Sequence, residues 1–245
     1  MMAQQKDTIF PQPFYYIGFS IIGEDGSESE FRTLFLNEKG SIKHFLEHEM
    51  QGFRFGGWTL PRNVQYMIRL NGLEYQDDTK RVKILENGHI IVQGTVSESF
   101  LCWANSSIQS TLKGDRVKIN TTALIEFTYN SVALLRRSLE DIKNPEKIIC
   151  KFGFIGMDNN YVLDNEKLMG VKDQVIISYE MNPIGLDTES NLPIDPLDIS
   201  NDDGVAKTTY LILAKVFRMF SFTEDKISYV QADEKKIDIN LIKRI

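Results

Sequence analysis

One short run, His44-Phe45-Leu46-Glu47-His48, contains side chains that could bind a metal ion and activate a water. Histidines four positions apart lie on one face of a helix, where both imidazoles can bind the same zinc ion. A glutamate between them can activate a zinc-bound water. The sequence predicts a short helix over 42–50, and this helix would hold the three side chains together.

This run resembles the H-x-x-E-H helix of the pitrilysin-type zinc peptidases. The resemblance implies a further glutamate ligand on a later helix, for which Glu126 is the candidate, whereas the glycine of that family is displaced to Gly40. A five-residue pattern is easily met by chance. We therefore interpret the run as an amphipathic helix with exposed histidines and predict no metal and no catalytic residue. A zinc hydrolase that uses His44, Glu47 and His48 is an alternative.

The other candidates for catalysis are the third histidine and the two cysteines. His89 follows an Asn-Gly turn and is expected to be a solvent-facing strand residue rather than a base. Cys102 and Cys150 lie among apolar residues and outside any CxxC pair, which predicts buried, reduced thiols. The chain has no G-x-S-x-G elbow and no phosphate-binding glycine motif. We therefore expect no cofactor.

An aromatic loop over 52–61 is the best candidate for a binding surface. It concentrates Phe53, Arg54, Phe55 and Trp58 between glycines. Aromatic and arginine side chains dominate the anchors of protein interfaces, because they combine apolar area with hydrogen-bonding ends. These four residues are the predicted partner-binding site, although aromatics between glycine turns are also typical of core residues beneath a loop.

The charge balance argues against a large nucleic-acid surface. The chain carries 28 Lys and Arg against 34 Asp and Glu, a formal net charge of −6. Phosphate binding needs clustered cations, and the small groups Lys113/Arg116/Lys118 and Arg136/Arg137 are interpreted as solvated. No apolar run approaches the ~18 residues of a membrane span, and no signal-peptide core precedes Pro13. We expect a cytoplasmic protein.

Most of the secondary-structure elements that the sequence predicts are strands. Alternating and β-branched runs predict strands over 14–22, 31–36, 64–70, 147–156, 161–163 and 174–181. Asn87-Gly88 between the runs 81–86 and 89–93 predicts a hairpin with a type I′ turn, since both turn positions need a positive φ.

Two segments predict principal helices. Apolar residues at helical spacing predict a helix over 121–142, capped by Asn120 and ended by Pro145, and a buried helix over 207–221. A short helix is expected over 238–245. The acidic segment 182–204 lacks Lys and Arg and is expected to be a surface loop.

This order of elements predicts one α+β domain over 1–245, with a mainly antiparallel sheet packed by two principal helices. Within it, 1–118 and 119–245 are possible sub-regions.

Three segments, 81–92, 147–156 and 210–217, together resemble the C-terminal region of bacterial schlafen-like, AlbA-domain putative DNA-binding proteins. They are a hairpin, a strand and a late helix in the same order. The resemblance implies an accessory or sensor domain without the nucleic-acid module, and it carries over no functional residue.

Taken together, the sequence favours a non-catalytic binding or regulatory protein that acts within a larger cytoplasmic assembly and has a protein partner. The alternatives are the zinc-dependent hydrolase and a nucleic-acid-associated accessory protein.

Two substitutions separate an interface from a core role for the aromatic loop. If the loop binds a partner, Trp58→Ala and Arg54→Ala should each weaken binding by about 2 kcal/mol or more at an unchanged melting temperature. If the aromatics are core, Trp58→Ala should instead cost about 3–5 kcal/mol of stability. Partner titration and thermal unfolding of both variants check this. A collapse of stability for Trp58→Ala, with no effect of Arg54→Ala, would contradict the interface.

Overall fold

The strand Phe14–Gly23, which lies inside the sheet with a neighbour on each side, shows why the sheet forms where it does. Its side chains alternate between buried and half-buried, and Tyr15, Ile17, Phe19 and Ile21 are at most 1% exposed. This period of two matches a strand that packs one face on a core. The computed structural model describes residues 10–23, 67–69, 72–85, 87–102, 117–140, 142, 145–157, 161–164 and 188–243.

Most of the described strands join in one sheet of seven strands, in the order β2-β3-β4-β5-β1-β7-β9, and every pairing in it is antiparallel. β6 and β8 pair in parallel, and β10 and β11 form a small antiparallel ribbon. The strands are β1 (Phe14–Gly23), β2 (Met67–Arg69), β3 (Gly72–Gln76), β4 (Lys80–Leu85), β5 (His89–Thr95), β6 (Val117–Asn120), β7 (Pro145–Ile155), β8 (Tyr161–Asp164), β9 (Thr188–Ile194), β10 (Val230–Gln231) and β11 (Lys236–Ile237).

The described helices are α1 (Thr121–Leu139), α2 (Asp202–Met219) and α3 (Ile239–Lys243), with 3-10 turns at Pro196–Ile199 and Glu224–Lys226. α1 and α2 contact each other and cover one face of the sheet. The Tyr15 ring meets Phe127 of α1 at 5.2 Å, and Phe154 of β7 meets Phe220 at the end of α2 at 5.3 Å. The expected α+β architecture, a mainly antiparallel sheet packed by two principal helices, is confirmed.

α1 begins as the sequence predicts. The Asn120 side chain accepts a hydrogen bond from the Ala123 amide at 3.1 Å, so it caps the helix. α1 carries several polar residues although most of it is buried. The hydroxyls of Thr128, Ser131 and Ser138 each donate to the carbonyl four residues earlier, which satisfies them inside the core.

The hairpin of β4 and β5 is confirmed, but its turn differs from the expected type. The Gly88 amide donates to the Leu85 carbonyl at 3.2 Å, and Gly88 has a φ of +83°. The closed turn therefore runs from Leu85 to Gly88, and glycine occupies its left-handed position. Three-residue hairpin loops use this arrangement, whereas a two-residue type I′ turn would centre on Asn87 and Gly88.

The expectation of a surface loop over 182–204 is wrong for residues 188–204. Thr188–Ile194 form β9, which pairs with β7, and α2 begins at Asp202, five residues before the predicted start. Asp203 pairs with Lys207 one turn later in α2 at 2.7 Å, and Asp202 and Asp203 also have partners far away in sequence, Arg136 and Lys236 respectively. Local composition cannot show such partners.

Gly94 of β5 and Gly18 of β1 lie on adjacent strands but differ in the space around them, because only Gly94 faces α1. A Cβ at Gly94 would lie 2.5 Å from ring atoms of Phe100 and Phe127, whereas a Cβ at Gly18 would meet only backbone oxygens at 3.8 and 3.9 Å. We expect Gly94→Ala to destabilise the fold by about 1–3 kcal/mol through overpacking. Gly18→Ala should be neutral, or stabilising by about 0.5 kcal/mol. Urea denaturation of both variants checks this, and equal midpoints would contradict the packing described here.

Candidate functional site

The residues chosen from the sequence as a binding site are not among those that the structure describes. Phe53, Arg54, Phe55 and Trp58 lie outside the described ranges, and so do His44, Glu47 and His48. The predicted interface and the alternative zinc site therefore remain predictions. Glu126, the candidate third zinc ligand, is a buried residue of α1. Among the described residues, no three or more metal-ligating side chains form a cluster.

His89 is half-buried on β5, and its Nδ1 atom lies 2.9 Å from the Ser20 hydroxyl oxygen. That distance is what a nucleophile and its base require. Ser20 and His89 are also directly opposite each other in the register of β1 and β5, and this pairing alone brings their side chains together. We interpret the contact as a polar cross-strand pair.

The two cysteines are confirmed as free and buried. Burial, with a contribution from the charge of Glu98, raises the pKa of Cys102 to about 12. Burial also raises the pKa of Cys150 well above its usual range. Because the thiolate is the reactive form, neither side chain is set up as a nucleophile.

Lys80, the first residue of β4, is a buried lysine with a lowered pKa, which is a feature of catalytic lysines. Burial lowers the pKa of Lys80, against the opposing effect of the Asp77 carboxylate. Its Nζ atom lies 3.7 Å from Asp77 Oδ2 and 5.7 Å from the centroid of the Phe100 ring. A lysine with a lowered pKa is a candidate nucleophile or base.

Its surroundings support a structural role instead. Asp77 Oδ2 accepts a hydrogen bond from the Tyr75 hydroxyl at 2.5 Å, and Asp77 Oδ1 accepts bonds from the Thr79 amide and hydroxyl and from the Lys80 amide at 2.7–2.8 Å. Burial alone would raise the pKa of Asp77, but these hydrogen bonds and the charge of Lys80 lower it overall. The carboxylate thus organises the turn between β3 and β4, and Lys80 closes the core over Phe100.

We call the face of the sheet opposite α1 and α2 the outward face. Most of the polar side chains of the sheet strands lie on it. The strand registers set them in rows. The row through Gly18 holds Asn191, Lys151, Gly18, Ile91 and Lys83. The row through Ser20 holds Pro193, Ile149, Ser20 and His89. Because one side chain in two points to this face, residues that are distant in sequence become neighbours there.

Tyr16 shows how the outward face is tied together across strands. Its hydroxyl donates to Glu189 on β9. Gly153 of β7 lies between these two residues in the register, and without a side chain it leaves room for the tyrosine to pass over it. Burial and the bond to the Glu189 carboxylate raise the pKa of Tyr16 above its usual range. This contact links β1 to the edge strand β9.

A second polar group lies on the β3 and β4 side of the outward face. Glu74 is buried, and it pairs with Arg81 at 2.5 Å and with Lys83 at 3.6 Å. The glutamate therefore neutralises part of the charge of these two cations. A buried carboxylate is stable only when it is paired in this way.

The outward face is exposed on β7, as it is on β9. On β7, Ile149 is 36% exposed, and it stands between Lys147 and Lys151, which are both exposed. We call these three residues the basic stripe. Their neighbours Ile148, Cys150 and Phe152 point to the core and are fully buried. The stripe is thus an apolar side chain between two cations, on a strand that is hydrogen-bonded on both sides.

Sequence reasoning did not find the basic stripe, although part of its signal is visible. Lysines begin and end the run 147–151, but the three residues between them, Ile148, Ile149 and Cys150, are all apolar. From the sequence, Ile149 therefore looks like a core residue. Arg136 and Arg137, which form one of the small basic groups in the sequence, are paired with carboxylates: Arg136 with Asp202 and Arg137 with Glu140. Only the register with β1 and β9 shows which isoleucine faces outward.

Comparison with known proteins gives no relative: no family model, no curated protein and no solved structure matches the chain. Among the described helices, none is long and apolar enough to cross a membrane.

Proposed function

We propose that this chain is a non-catalytic binding or regulatory protein that acts within a larger cytoplasmic assembly, and that the basic stripe is a contact surface for its protein partner. The observation that carries the proposal is the exposure of Ile149 between two exposed lysines on β7. An apolar centre with a polar rim is the usual composition of a protein interface.

The support of β7 by its neighbours favours this use. The strand has 11 residues, and it pairs with β1 along nearly its whole length and with β9 over seven positions. Its core-facing side is fixed by fully buried aromatic residues. A surface held in this way loses little conformational entropy when a partner binds, and that leaves more of the contact energy for affinity.

Charge favours a protein partner over nucleic acid. The outward-facing side chains that the structure describes include four cations, Arg81, Lys83, Lys147 and Lys151, but the first two pair with Glu74. Two lysines remain in a chain of net charge −6. Nucleic-acid binding depends on many phosphate contacts, whereas two lysines around an isoleucine suit a partner with an apolar residue between carboxylates.

The aromatic loop with Phe53, Arg54, Phe55 and Trp58 remains a second proposed contact, argued from its composition alone. The resemblance to the C-terminal region of schlafen-like proteins supports an accessory role of the same general kind, without naming a residue.

A charge placed in the basic stripe should remove partner binding while the fold is retained. Ile149→Glu in the tagged full chain should abolish co-purification of the partner, because it buries a carboxylate in the interface. Its melting temperature should stay close to that of the wild type, since Ile149 is already partly exposed.

Leu211→Glu is the matched control, because Leu211 is 48% exposed on α2 and lies on another element. It should retain every partner that the wild type retains. If Ile149→Glu and Leu211→Glu co-purify the same proteins as the wild type, the basic stripe does not bind a different protein.

A further inference from the structure

The most exposed large apolar side chain among the described residues is Leu197, at 78%. It lies in the 3-10 turn Pro196–Ile199, directly after β9. Asp195 precedes it by two positions and Asp198 follows it, and both are exposed. The turn therefore presents a leucine between two carboxylates.

Local contacts hold this turn in place. Asp195 Oδ1 accepts a hydrogen bond from the Leu197 amide at 2.9 Å, and the Asp195 carbonyl accepts one from the Asp198 amide at 3.0 Å. Ile199, two residues after the leucine, is fully buried and anchors the turn to the core. Leu197 is thus kept in solvent by an ordered backbone. A rigid exposed leucine favours binding, because little entropy is lost when it is covered.

The acidic turn (Asp195, Leu197 and Asp198) and the basic stripe match each other in composition and charge. One places a leucine between two aspartates, and the other places an isoleucine between two lysines. They also lie near each other on the molecule. Pro193 pairs with Ile149 in the register, and Leu197 follows it by four residues, at most ~14 Å along the chain.

We propose that the basic stripe binds the acidic turn of a second copy of this chain, in a dimer with twofold symmetry. Each copy then supplies one stripe and one turn, and the two contacts are identical, as a twofold axis requires. The identity of this occupant rests on the proposed binding role of the basic stripe. The charge complementarity favours a second copy, because the chain itself carries the apolar residue between carboxylates that the stripe requires.

Because the two contacts are small, we expect a weak dimer whose population depends on the protein concentration. Its charged pairs are exposed at the rim, so added salt weakens the association.

A charge exchange tests the pairing. Lys151→Glu and Asp198→Lys, each in the full chain, should both be monomeric, with a dimer dissociation constant raised by about tenfold or more. An equimolar mixture of the two should form a dimer again. In the mixture, the stripe that carries Lys151→Glu faces the turn that carries Asp198→Lys, and the unchanged stripe faces the unchanged turn. Sedimentation velocity over a range of protein concentrations, at low and high salt, gives the masses.

The outcomes decide between the possibilities. A wild type that stays monomeric at every concentration would overturn the second copy as occupant. A mixture that stays monomeric would overturn the pairing of Lys151 with Asp198, and masses that keep growing beyond the dimer would contradict the twofold arrangement. Leu197→Ser, which removes no charge, should also yield a monomer, and unchanged melting temperatures confirm that the variants fold.

The binding role of the stripe is judged separately. If the wild type is monomeric but Ile149→Glu still loses a different co-purifying protein, the second copy is refuted and the proposed function stands.

Discussion

The pairing of β1 with β7 determines where the core, the helices and the outward side chains lie. It places Tyr15 opposite Phe154, with ring centroids 4.7 Å apart, and Ile17 opposite Phe152. All four side chains are fully buried. A shift of the register by one residue would turn these groups to the outward face and bury Lys151 instead. The same contacts that build the core therefore fix the outward position of the basic stripe.

α1 and α2 pack on the sheet face that this pairing creates. Phe127 of α1 packs on Tyr15 and next to Gly94, where no larger residue fits. The buried hydroxyls of Thr128, Ser131 and Ser138 in α1 are compatible with the core because they donate to the helix backbone. α2 closes the same face at Phe220. With both helices on one face, the described strands leave the opposite face to carry the polar rows.

The elements that were predicted from the sequence are those with strong local signals. Asn120 caps α1, the alternation over 14–22 gives β1, and the glycine at position 88 marks the hairpin. β9 was missed because Asn191, Pro193 and the aspartates around it have low strand propensity. It is a strand because Leu192 and Ile194 face the core beside Cys150 and Ile148. The basic stripe could not be found in the sequence, since the direction of Ile149 is a property of the register between distant segments.

β9 also shapes how a partner can approach. Among the described strands it is an edge of the sheet, and an edge is where an unpaired backbone could add a strand from another chain. Pro193 lacks an amide donor, and the exposed Glu189 and Asn191 add polar groups, which are features of protected edges. Strand addition is thus disfavoured at β9, and the side chains of the outward face are the better surface for recognition.

The most direct test of the basic stripe as a contact surface is the reactivity of its lysines toward an amine-modifying reagent, read by mass spectrometry on the full chain. Lys147 and Lys151 should react readily in dilute protein and become protected when the protein associates. Lys235, exposed in the turn between β10 and β11, should react equally in both states. Unchanged reactivity of Lys147 and Lys151 on association, or protection of both lysines already in the dilute monomer, would contradict the basic stripe as a contact surface.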